Sequence, residues 1–446
     1  MEAENVRHKE SPLRQILKTI GLPLLGLGLL LAISPDAGAQ TFSVIHNFTG
    51  GLDGANPWAG LTMDHAGSLY GVAAGGGNGS CEFYGTPGCG TAFKLAFKNG
   101  GWVMMPLYSF RGGSDGAFGV AAMTFGPNGS LYGTTAGGGQ GSCAFYVSTG
   151  CGTVFNLTPT ASFPRTPLTP WLETVLYRFT GGGDGGNPVL GNLIFDQAGN
   201  MYGTTNYGGA SGNGAVYKLS RSGGGWTESV IYSFAGGNDG AFPFAGLLFD
   251  SAGNLYGTTV NGGGTGCTNG CGTIYELSPS GSGWTENVLY RFQGGNDGFY
   301  ADGGLIFDQA GNLYGGTYNG GSGGGGTVYE LSPSGGGWTL NVLYSFVGTR
   351  WGLADRLTFD AAGNLYGTTQ YGGANGDGNV FKLTNSGGNW SYTDLHDFTY
   401  GIDGGVPVDT PVFDASGNLY GTAFGGGTNA CGEGFGCGVI WKIASP

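Results

Sequence analysis

The stretch from Gly246 to Phe292 decides the fold, and it reads GLLFDSAGNLYGTTVNGGGTGCTNGCGTIYELSPSGSGWTENVLYRF. It contains four short apolar or alternating segments: GLLFD, LYGTT, GTIYEL and WTENVLYRF. Glycine, asparagine and serine, which favour tight turns, lie between these segments. Short runs of β-type residues bounded by turn residues are typical of strands, so we predict four antiparallel strands here.

The same pattern recurs seven times along the chain. Its second strand carries Leu-Tyr-Gly, with Met201 in the leucine position once, and the tyrosines are Tyr70, Tyr132, Tyr202, Tyr256, Tyr314, Tyr366 and Tyr420. Its fourth strand ends at Phe48, Phe110, Phe179, Phe234, Phe292, Phe346 and Phe398. Such repeats predict an all-β fold, a seven-bladed β-propeller of four-stranded antiparallel blades. A β-solenoid is the alternative, although its turns usually have a shorter and stricter period.

The two ends of the repeat region predict how the ring closes. Residues 42–48 (FSVIHNF) have the pattern of a fourth strand without the first three, and residues 439–443 (VIWKI) have the pattern of a third strand without a fourth. Closing the ring would remove exposed sheet edges. We therefore expect the N-terminal strand to complete the last blade.

Residues 1–39 differ from the repeats and are predicted to be a signal peptide. Basic residues precede a short apolar run (20–33), and Ala37-Gly38-Ala39 offers a cleavage site before Gln40. A membrane anchor is the alternative, but a spanning helix needs about 20 apolar residues. We expect residues 40–446 to form the repeat domain, with no membrane span after cleavage. The protein would then be secreted, with the periplasm as the alternative compartment.

The eight cysteines fall in four local pairs, each in the same loop of a different repeat: Cys81 and Cys89, Cys143 and Cys151, Cys267 and Cys271, and Cys431 and Cys437. A disulfide within each pair is the prediction, and it agrees with export to an oxidising compartment. Zinc binding is the alternative, but Cys-only zinc sites usually have Cys-x-x-Cys spacings, which these pairs lack.

The composition excludes some classes of partner. Glycine accounts for 100 of the 446 residues, but an aromatic content of 13% argues against a disordered Gly-rich chain. Nucleic-acid binding needs a basic surface, whereas this chain has a net charge of −13. We expect a monomer that binds an unidentified extracellular ligand such as a glycan.

The repeated motifs resemble a known bacterial family. The run D-x-x-G-N-L-Y-G-T-T, a Gly-rich loop, G-T-V-[FY]-K-L and L-Y-S-F-x-G-G-x-D-G-A-x-P together resemble the choice-of-anchor tandem-repeat family called GloVer, over residues 41–446. The resemblance implies an extracellular repeat protein and implies no activity. Members of the family carry varied C-terminal surface anchors, and we do not expect one after the strand-like residues 439–443.

Candidate ligand-binding residues lie in the variable loops. In a propeller, the loops between the second and third strands share a face with the loops between blades, and variable loops on a rigid scaffold usually carry binding residues. The candidates are Phe83, Tyr84, Phe145, Tyr146, Arg350, Trp351, Asp355 and Arg356. The last four form an aromatic and charged group in repeat six, for which a local ion pair is the alternative interpretation.

Two histidines and a set of aspartates complete the candidates. His46 and His396 replace the tyrosine of the fourth strand and are a candidate polar pair, unless each fills an aromatic-like core position. Aspartates precede glycine between blades at Asp53, Asp115, Asp184, Asp239, Asp297 and Asp403. One carboxylate per loop favours turn formation over calcium, which needs several oxygen ligands. We predict no metal and no cofactor, with calcium as the alternative.

No catalytic residue is predicted, because we find no strand-to-helix nucleophile elbow and no His-Glu-x-x-His motif. The leading hypothesis is an exported, non-enzymatic scaffold that binds a glycan or another cell-envelope ligand. A polysaccharide lyase or glycosidase is the first alternative, although no carboxylate pair can be named for it. A purely structural or cell-surface protein-interaction module is the second.

Overall fold

Repeated four-stranded sheets make up the fold. The computed structural model describes residues 40–145, 148–160, 171–348, 356–408 and 410–445. Within these ranges, seven four-stranded antiparallel sheets form the blades of a β-propeller, which confirms the predicted fold class. The predicted signal peptide, residues 1–39, lies outside the described residues and stays a prediction.

Each blade takes its strands in chain order, apart from the last strand of blade 7. The first strands are Thr62–Met63, Thr124–Phe125, Ile194–Phe195, Leu248–Phe249, Ile306–Phe307, Thr358–Phe359 and Val412–Phe413. The second strands are Leu69–Ala73, Leu131–Thr135, Met201–Thr205, Leu255–Thr259, Leu313–Thr317, Leu365–Thr369 and Leu419–Ala423. The third strands are Thr91–Lys98, Thr153–Pro159, Ala215–Ser222, Gly270–Ser280, Gly324–Ser334, Asn379–Ser386 and Val439–Ala444. The fourth strands are Gly101–Ser109, Trp171–Arg178, Gly225–Ser233, Gly283–Arg291, Gly337–Val347, Asn389–Asp397 and, in blade 7, Thr41–Asn47.

Some of the loops between second and third strands contain short additional strands. Glu82–Phe83 pairs with Thr86–Pro87, and Ala144–Phe145 pairs with Ser148–Thr149. In blade 4, Gly262–Gly263 runs parallel to the third strand. Across the part of the chain that the structure describes, no helix has the length and apolar character needed to cross a membrane.

The N-terminal strand closes the ring as predicted. Thr41–Asn47 pairs antiparallel with Val439–Ala444, from Thr41 opposite Ala444 to Asn47 opposite Val439. The next residue, Phe48, is fully buried and contacts Phe93 of blade 1. Residues 41–48 therefore complete blade 7 and also pack against blade 1.

Aromatic rings fill the interfaces between blades. A phenylalanine follows each fourth strand, or in blade 5 lies near its end as Phe346. It is fully buried in every blade except for Phe346, which is 8% exposed. Each contacts an aromatic ring on the third strand of the next blade: Phe48 and Phe93, Phe110 and Phe155, Phe179 and Tyr217, Phe234 and Tyr275, Phe292 and Tyr329, Phe346 and Phe381, and Phe398 and Trp441. Buried aromatic pairs add to stability beyond the area they bury, so the repeated phenylalanine joins the blades into one core.

The Leu-Tyr-Gly motif is explained by this packing. A Cβ on Gly71 would lie 2.6 Å from Cζ of Phe93, so the glycine makes room for the third-strand ring. The tyrosine hydroxyl, Tyr70 in blade 1, donates to Asp64 at the end of the first strand (3.0 Å). Asp64 also accepts the N–H groups of Ala66 and Ser68. The motif therefore ties the second strand to the turn that precedes it.

Candidate functional site

Two adjoining cavities open on the face that carries the inter-blade loops and the loops between second and third strands. Each has a volume of about 430 Å³. Among the described residues, cavity 1 is lined by Trp58, Leu190, Asn206, Tyr207, Phe242, Phe244, Val260, Asn261, Tyr300, Asp302, Tyr318 and Gln370. Cavity 2 is lined by Trp58, Tyr84, Gln370, Tyr371, Tyr400, Val406, Val408, Phe424, Glu433, Gly434 and Phe435. Trp58 and Gln370 belong to both, so the cavities adjoin at these two side chains.

Some of the lining residues lie in the inter-blade loops and have a strained backbone conformation. The third residue after the loop aspartate has positive φ, between 51° and 61°, at Asn56, Phe118, Asn187, Phe242, Tyr300 and Val406. This left-handed region is unfavourable for bulky and β-branched side chains. Phe242 and Tyr300 line cavity 1, and Val406 lines cavity 2. Strain of this kind persists only where the surrounding structure imposes it, and it is concentrated at functional sites.

Backbone hydrogen bonds hold these residues in place. The Tyr300 N–H donates to the Cys271 carbonyl (2.8 Å), and the Tyr300 carbonyl accepts from the Tyr318 N–H (2.9 Å). Phe242 is held in the same way by Asn213 and Val260. Because the N–H and the carbonyl of the strained residue are both bonded, its backbone is held in place before any ligand arrives.

Disulfides stiffen one wall of cavity 2. All four predicted bonds are formed: Cys81–Cys89, Cys143–Cys151, Cys267–Cys271 and Cys431–Cys437. The first of these loops carries Tyr84, and the last carries Glu433 and Phe435. The two loops touch, since the Glu433 N–H donates to the Tyr84 carbonyl (3.3 Å). Two loops from neighbouring blades, each closed by its own disulfide, thus form this wall.

Aromatic rings dominate cavity 2. Trp58 and Tyr84 stack with ring centroids 5.7 Å apart and planes 23° apart. Tyr84 also contacts Phe424 (5.6 Å) and Phe435 (5.8 Å). Burial, with the nearby Tyr371 and Asp377, raises the pKa of Tyr400 to about 12. The hydroxyl of Tyr400 therefore stays protonated at neutral pH and can donate a hydrogen bond.

The polar groups of the two cavities are amides, hydroxyls and single carboxylates. Cavity 1 has Asp302 and the amides of Asn206 and Asn261, cavity 2 has Glu433, and both share Gln370. The described lining residues of either cavity include no lysine, arginine or histidine. Both cavities therefore offer apolar surfaces edged by hydrogen-bonding groups, and the charged side chains among their described lining residues are carboxylates.

The aromatic candidates from the sequence divide between surface and core. Tyr84 lines cavity 2. Phe83 is fully buried instead, and it contacts Trp58 (5.6 Å) and Phe118 (5.1 Å) beneath the cavity wall. Phe145 packs against the other side of this cluster, 6.3 Å from Phe118. Four further candidates lie outside the described residues: Tyr146, Arg350, Trp351 and Asp355.

Arg356 lies where several blades converge. Its Nη2 donates to Oδ1 of Asn192 (3.0 Å), which lies two residues before the first strand of blade 3. A Cβ on Gly246 or Gly304, the equivalent positions of blades 4 and 5, would lie 2.9 Å and 2.6 Å from its guanidinium nitrogens. Arg356 thus reaches from blade 6 to three other blades and fills the space that two glycines leave.

His46 and His396 each bind an aspartate rather than each other. The distance from Nε2 to Oδ2 is 3.1 Å for His46 and Asp53, and 3.2 Å for His396 and Asp403. In four other blades a tyrosine hydroxyl donates to the same aspartate: Tyr108 to Asp115, Tyr177 to Asp184, Tyr232 to Asp239 and Tyr290 to Asp297. Each histidine thus occupies the aromatic position of the repeat, and burial lowers the pKa of His396 although Asp403 opposes the shift.

The loop aspartates also accept backbone hydrogen bonds. Asp53 accepts the Thr49 N–H (3.0 Å), and Asp297 accepts the Gln293 N–H (2.7 Å). These bonds give the aspartates the turn-forming role that the sequence favours. In the described ranges, no three histidine, cysteine, aspartate or glutamate side chains come together as a group able to hold a metal.

Three fourth-strand glutamates sit at the interfaces between blades. Burial, reinforced by the negative charge of an inter-blade aspartate, raises the pKa of Glu173, Glu228 and Glu286 to about 7. One carboxylate oxygen of each is buried and has no hydrogen-bond partner. At neutral pH these glutamates are therefore partly protonated in the folded protein.

We expect these glutamates to make the fold more stable in mildly acidic than in mildly alkaline buffer. A carboxyl group whose folded pKa exceeds its unfolded pKa contributes stability that is fully present below the unfolded pKa of 4.5 and is lost as the pH rises from there to about 7. The triple variant Glu173→Gln, Glu228→Gln, Glu286→Gln should melt higher than the native protein at pH 7 and above. The difference should shrink as the pH falls below 7 and disappear near pH 4.5. His396 shifts stability the opposite way, so the comparison is between variants, with exposed Glu82→Gln as the control. If the difference in melting temperature between the native and triple-variant proteins is the same at all pH values, the prediction is wrong.

Sequence reasoning missed most residues of the two cavities. Trp58, Tyr318 and Gln370, for example, lie at positions whose residue type differs between repeats. The motifs that define the repeat consist of shared positions and therefore do not include them. Aligning the repeats on Leu-Tyr-Gly would have provided a signal. The variable positions just after the second strand, and three and five residues after the loop aspartate, are the ones that converge on this face.

The fold and its loop face define a class of protein: a seven-bladed β-propeller whose loop face carries aromatic-lined cavities, one of them walled by disulfide-bonded loops. Within this class, the chain belongs to the Gloeobacter/Verrucomicrobia repeat family, whose sequence model matches residues 148–267 and 190–435. This match confirms the resemblance that the repeated motifs indicated. Among curated proteins, none matches the chain.

Several solved structures share the architecture at low identity. A gluconolactonase from Xanthomonas campestris is 15% identical, with 61% of this chain and 75% of that chain covered and a TM-score of 0.37. A polysaccharide lyase, the PL25 ulvan lyase, is 12% identical, with 79% and 86% covered and a TM-score of 0.45. Likeness at this level says nothing about the activity of this chain.

Proposed function

We propose that this protein is an exported, non-enzymatic carbohydrate-binding propeller whose cavities 1 and 2 bind neighbouring parts of one saccharide chain. One observation carries the proposal: two aromatic-lined cavities of about 430 Å³ each adjoin at Trp58 and Gln370. Cavities of roughly 300–1,000 Å³ are the usual size for binding small molecules. A ligand that spans both would be an oligosaccharide rather than a single sugar.

The chemistry of the lining suits a saccharide. A sugar ring has apolar C–H faces and hydroxyl groups at its edge, so it packs on flat aromatic rings while its hydroxyls bond to polar groups. Trp58, Tyr84 and Tyr300 supply such rings. The amides of Asn206, Asn261 and Gln370 can both donate and accept hydrogen bonds.

Rigidity and export support the same proposal. Some lining residues have a left-handed backbone conformation held by backbone hydrogen bonds, and two of the lining loops are closed by disulfides. These segments are already ordered before binding, which lowers the entropic cost of association. Disulfides persist in oxidising compartments, so four of them agree with a protein that leaves the cytoplasm. The compartment would be the cell exterior or the periplasm.

Among single substitutions in the lining of cavities 1 and 2, Trp58→Ala should weaken saccharide binding most. Buried aromatic anchors at the centre of a contact surface cost about 2 kcal/mol or more when truncated, which is roughly a 30-fold loss of affinity. The measurement is a glycan-array screen of residues 40–446 in the oxidised state, followed by calorimetry on the best oligosaccharide. Tyr207→Ala, at a side chain that is 51% exposed in cavity 1, should lower affinity without altering stability.

Trp102→Ala is the matched control, because Trp102 lies on the fourth strand of blade 1 and outside both cavities. It should leave saccharide affinity unchanged. A folded protein that binds no saccharide on the array, or equal losses for Trp58→Ala and Trp102→Ala, would refute the proposal. Breakdown of a bound oligosaccharide over time would replace the binding role with an enzymatic one.

A further inference from the structure

We propose that cavity 2 binds the ammonium group of a cationic ligand, and that the saccharide taken by this face carries free amino groups. The saccharide part rests on the proposed function, whereas the ammonium part stands on the cavity itself. Ammonium groups occur both in amino sugars and in small quaternary cations. Both ligands present the same charged group to the cavity, and the experiment separates the two sources.

The lining of cavity 2 is rich in aromatic side chains. The aromatic residues are Trp58, Tyr84, Tyr371, Tyr400, Phe424 and Phe435. The electron-rich face of an aromatic ring attracts a cation, most strongly for tryptophan and where water is excluded. Organic ammonium ions are commonly recognised by several rings that surround the charge. Cavity 2 provides such rings from three blades.

A carboxylate accompanies the rings in the lining of cavity 2. Glu433 is exposed at the cavity, and its backbone N–H is bonded to the Tyr84 carbonyl, which places it beside the stacked Trp58 and Tyr84. No lysine, arginine or histidine is among the described residues that line the cavity. The whole chain carries a net charge of −13. Cations are therefore attracted, and uronate or sulfate groups are repelled.

An organic cation fits this lining better than a metal ion does. Calcium takes six to eight oxygen ligands, and magnesium requires a nearly octahedral set of oxygens. Cavity 2 offers one carboxylate, one amide and three tyrosine hydroxyls near a mostly apolar surface. An ammonium group on a carbon skeleton has a diffuse charge and apolar neighbours, which match these walls.

The test compares two oligosaccharides of equal length that differ at one group. Glucosamine oligomers carry free amines, which are protonated in mildly acidic buffer, and N-acetylglucosamine oligomers are neutral. We expect the glucosamine oligomer to bind roughly tenfold more tightly. Tetramethylammonium, which has no sugar, should bind weakly and compete with the glucosamine oligomer.

Glu433→Gln should remove the preference for the glucosamine oligomer and weaken tetramethylammonium binding. Glu82→Gln is the matched control, since this exposed glutamate lies in the neighbouring disulfide loop and does not line the cavity. It should change neither affinity. Tyr371→Leu, which removes an aromatic face without changing charge, should also weaken tetramethylammonium binding.

The outcomes separate the two proposals. Equal affinity for both oligomers, unchanged by Glu433→Gln, would overturn the ammonium inference and leave carbohydrate binding standing. If tetramethylammonium binds through Glu433 while neither oligomer binds, the ammonium site is upheld and the amino-saccharide part of the inference is wrong. The proposed function then fails only if the glycan array also yields no ligand. If neither tetramethylammonium nor the glucosamine oligomer binds, the inference is wrong.

Discussion

Deletion of residues 41–47 is expected to prevent the propeller from forming a stable monomer. The deletion removes the fourth strand of blade 7 and leaves Val439–Ala444 with an unpaired edge. It also uncovers the buried Trp441, against which Phe42 and Val44 pack. Lost backbone pairing and lost apolar burial together should cost at least about 5 kcal/mol. An exposed edge strand also promotes pairing with other chains.

Thermal unfolding and light scattering would measure this effect. A variant that begins at Gln40 and keeps the strand is the control, and it should melt cooperatively as a monomer. A synthetic peptide of residues 41–47 should partly restore the melting temperature of the deleted protein, because the vacant edge can accept an added strand. A monomeric deletion variant with an unchanged melting temperature would show that closure contributes little to stability.

Reduction of the four disulfides is expected to produce the largest loss of stability. The bonded cysteines are separated by 8, 8, 4 and 6 residues. In the chain-entropy model, loops of this size each contribute roughly 2–3 kcal/mol, so full reduction of the four bonds should cost roughly 8–12 kcal/mol. Denaturant unfolding with and without reductant would measure the difference. Equal unfolding midpoints in the two conditions would contradict the prediction.

Individual disulfides should differ in their effect on binding. The variant Cys431→Ser, Cys437→Ser should lose stability and also affinity, because the loop it frees carries Glu433 and Phe435 of cavity 2. The variant Cys143→Ser, Cys151→Ser is the matched control. It opens a loop of the same kind in blade 2 whose described residues line neither cavity. Similar losses of stability with a selective loss of binding in the first variant would place the function at cavity 2.

The amino-acid sequence alone was sufficient to predict the propeller, its seven blades and its closure. These features depend on local patterns that recur, such as Leu-Tyr-Gly with its obligatory glycine and the phenylalanine after each fourth strand. The disulfide pairing could be predicted for the same reason, since the two partners of each bond lie in one short loop. A local pattern repeated seven times leaves few other ways to pair strands or cysteines.

Only the tertiary structure decided which side chains share a site. Trp58, Gln370 and Glu433 are far apart in the chain, and they meet at cavity 2 because ring closure brings blades 6, 7 and 1 together. The structure likewise buried Phe83 and directed Arg356 toward the centre of the ring, although both lie in loops that looked exposed. Repeat motifs specify how each blade folds, whereas the residues that differ between blades acquire neighbours only when seven blades close around one axis.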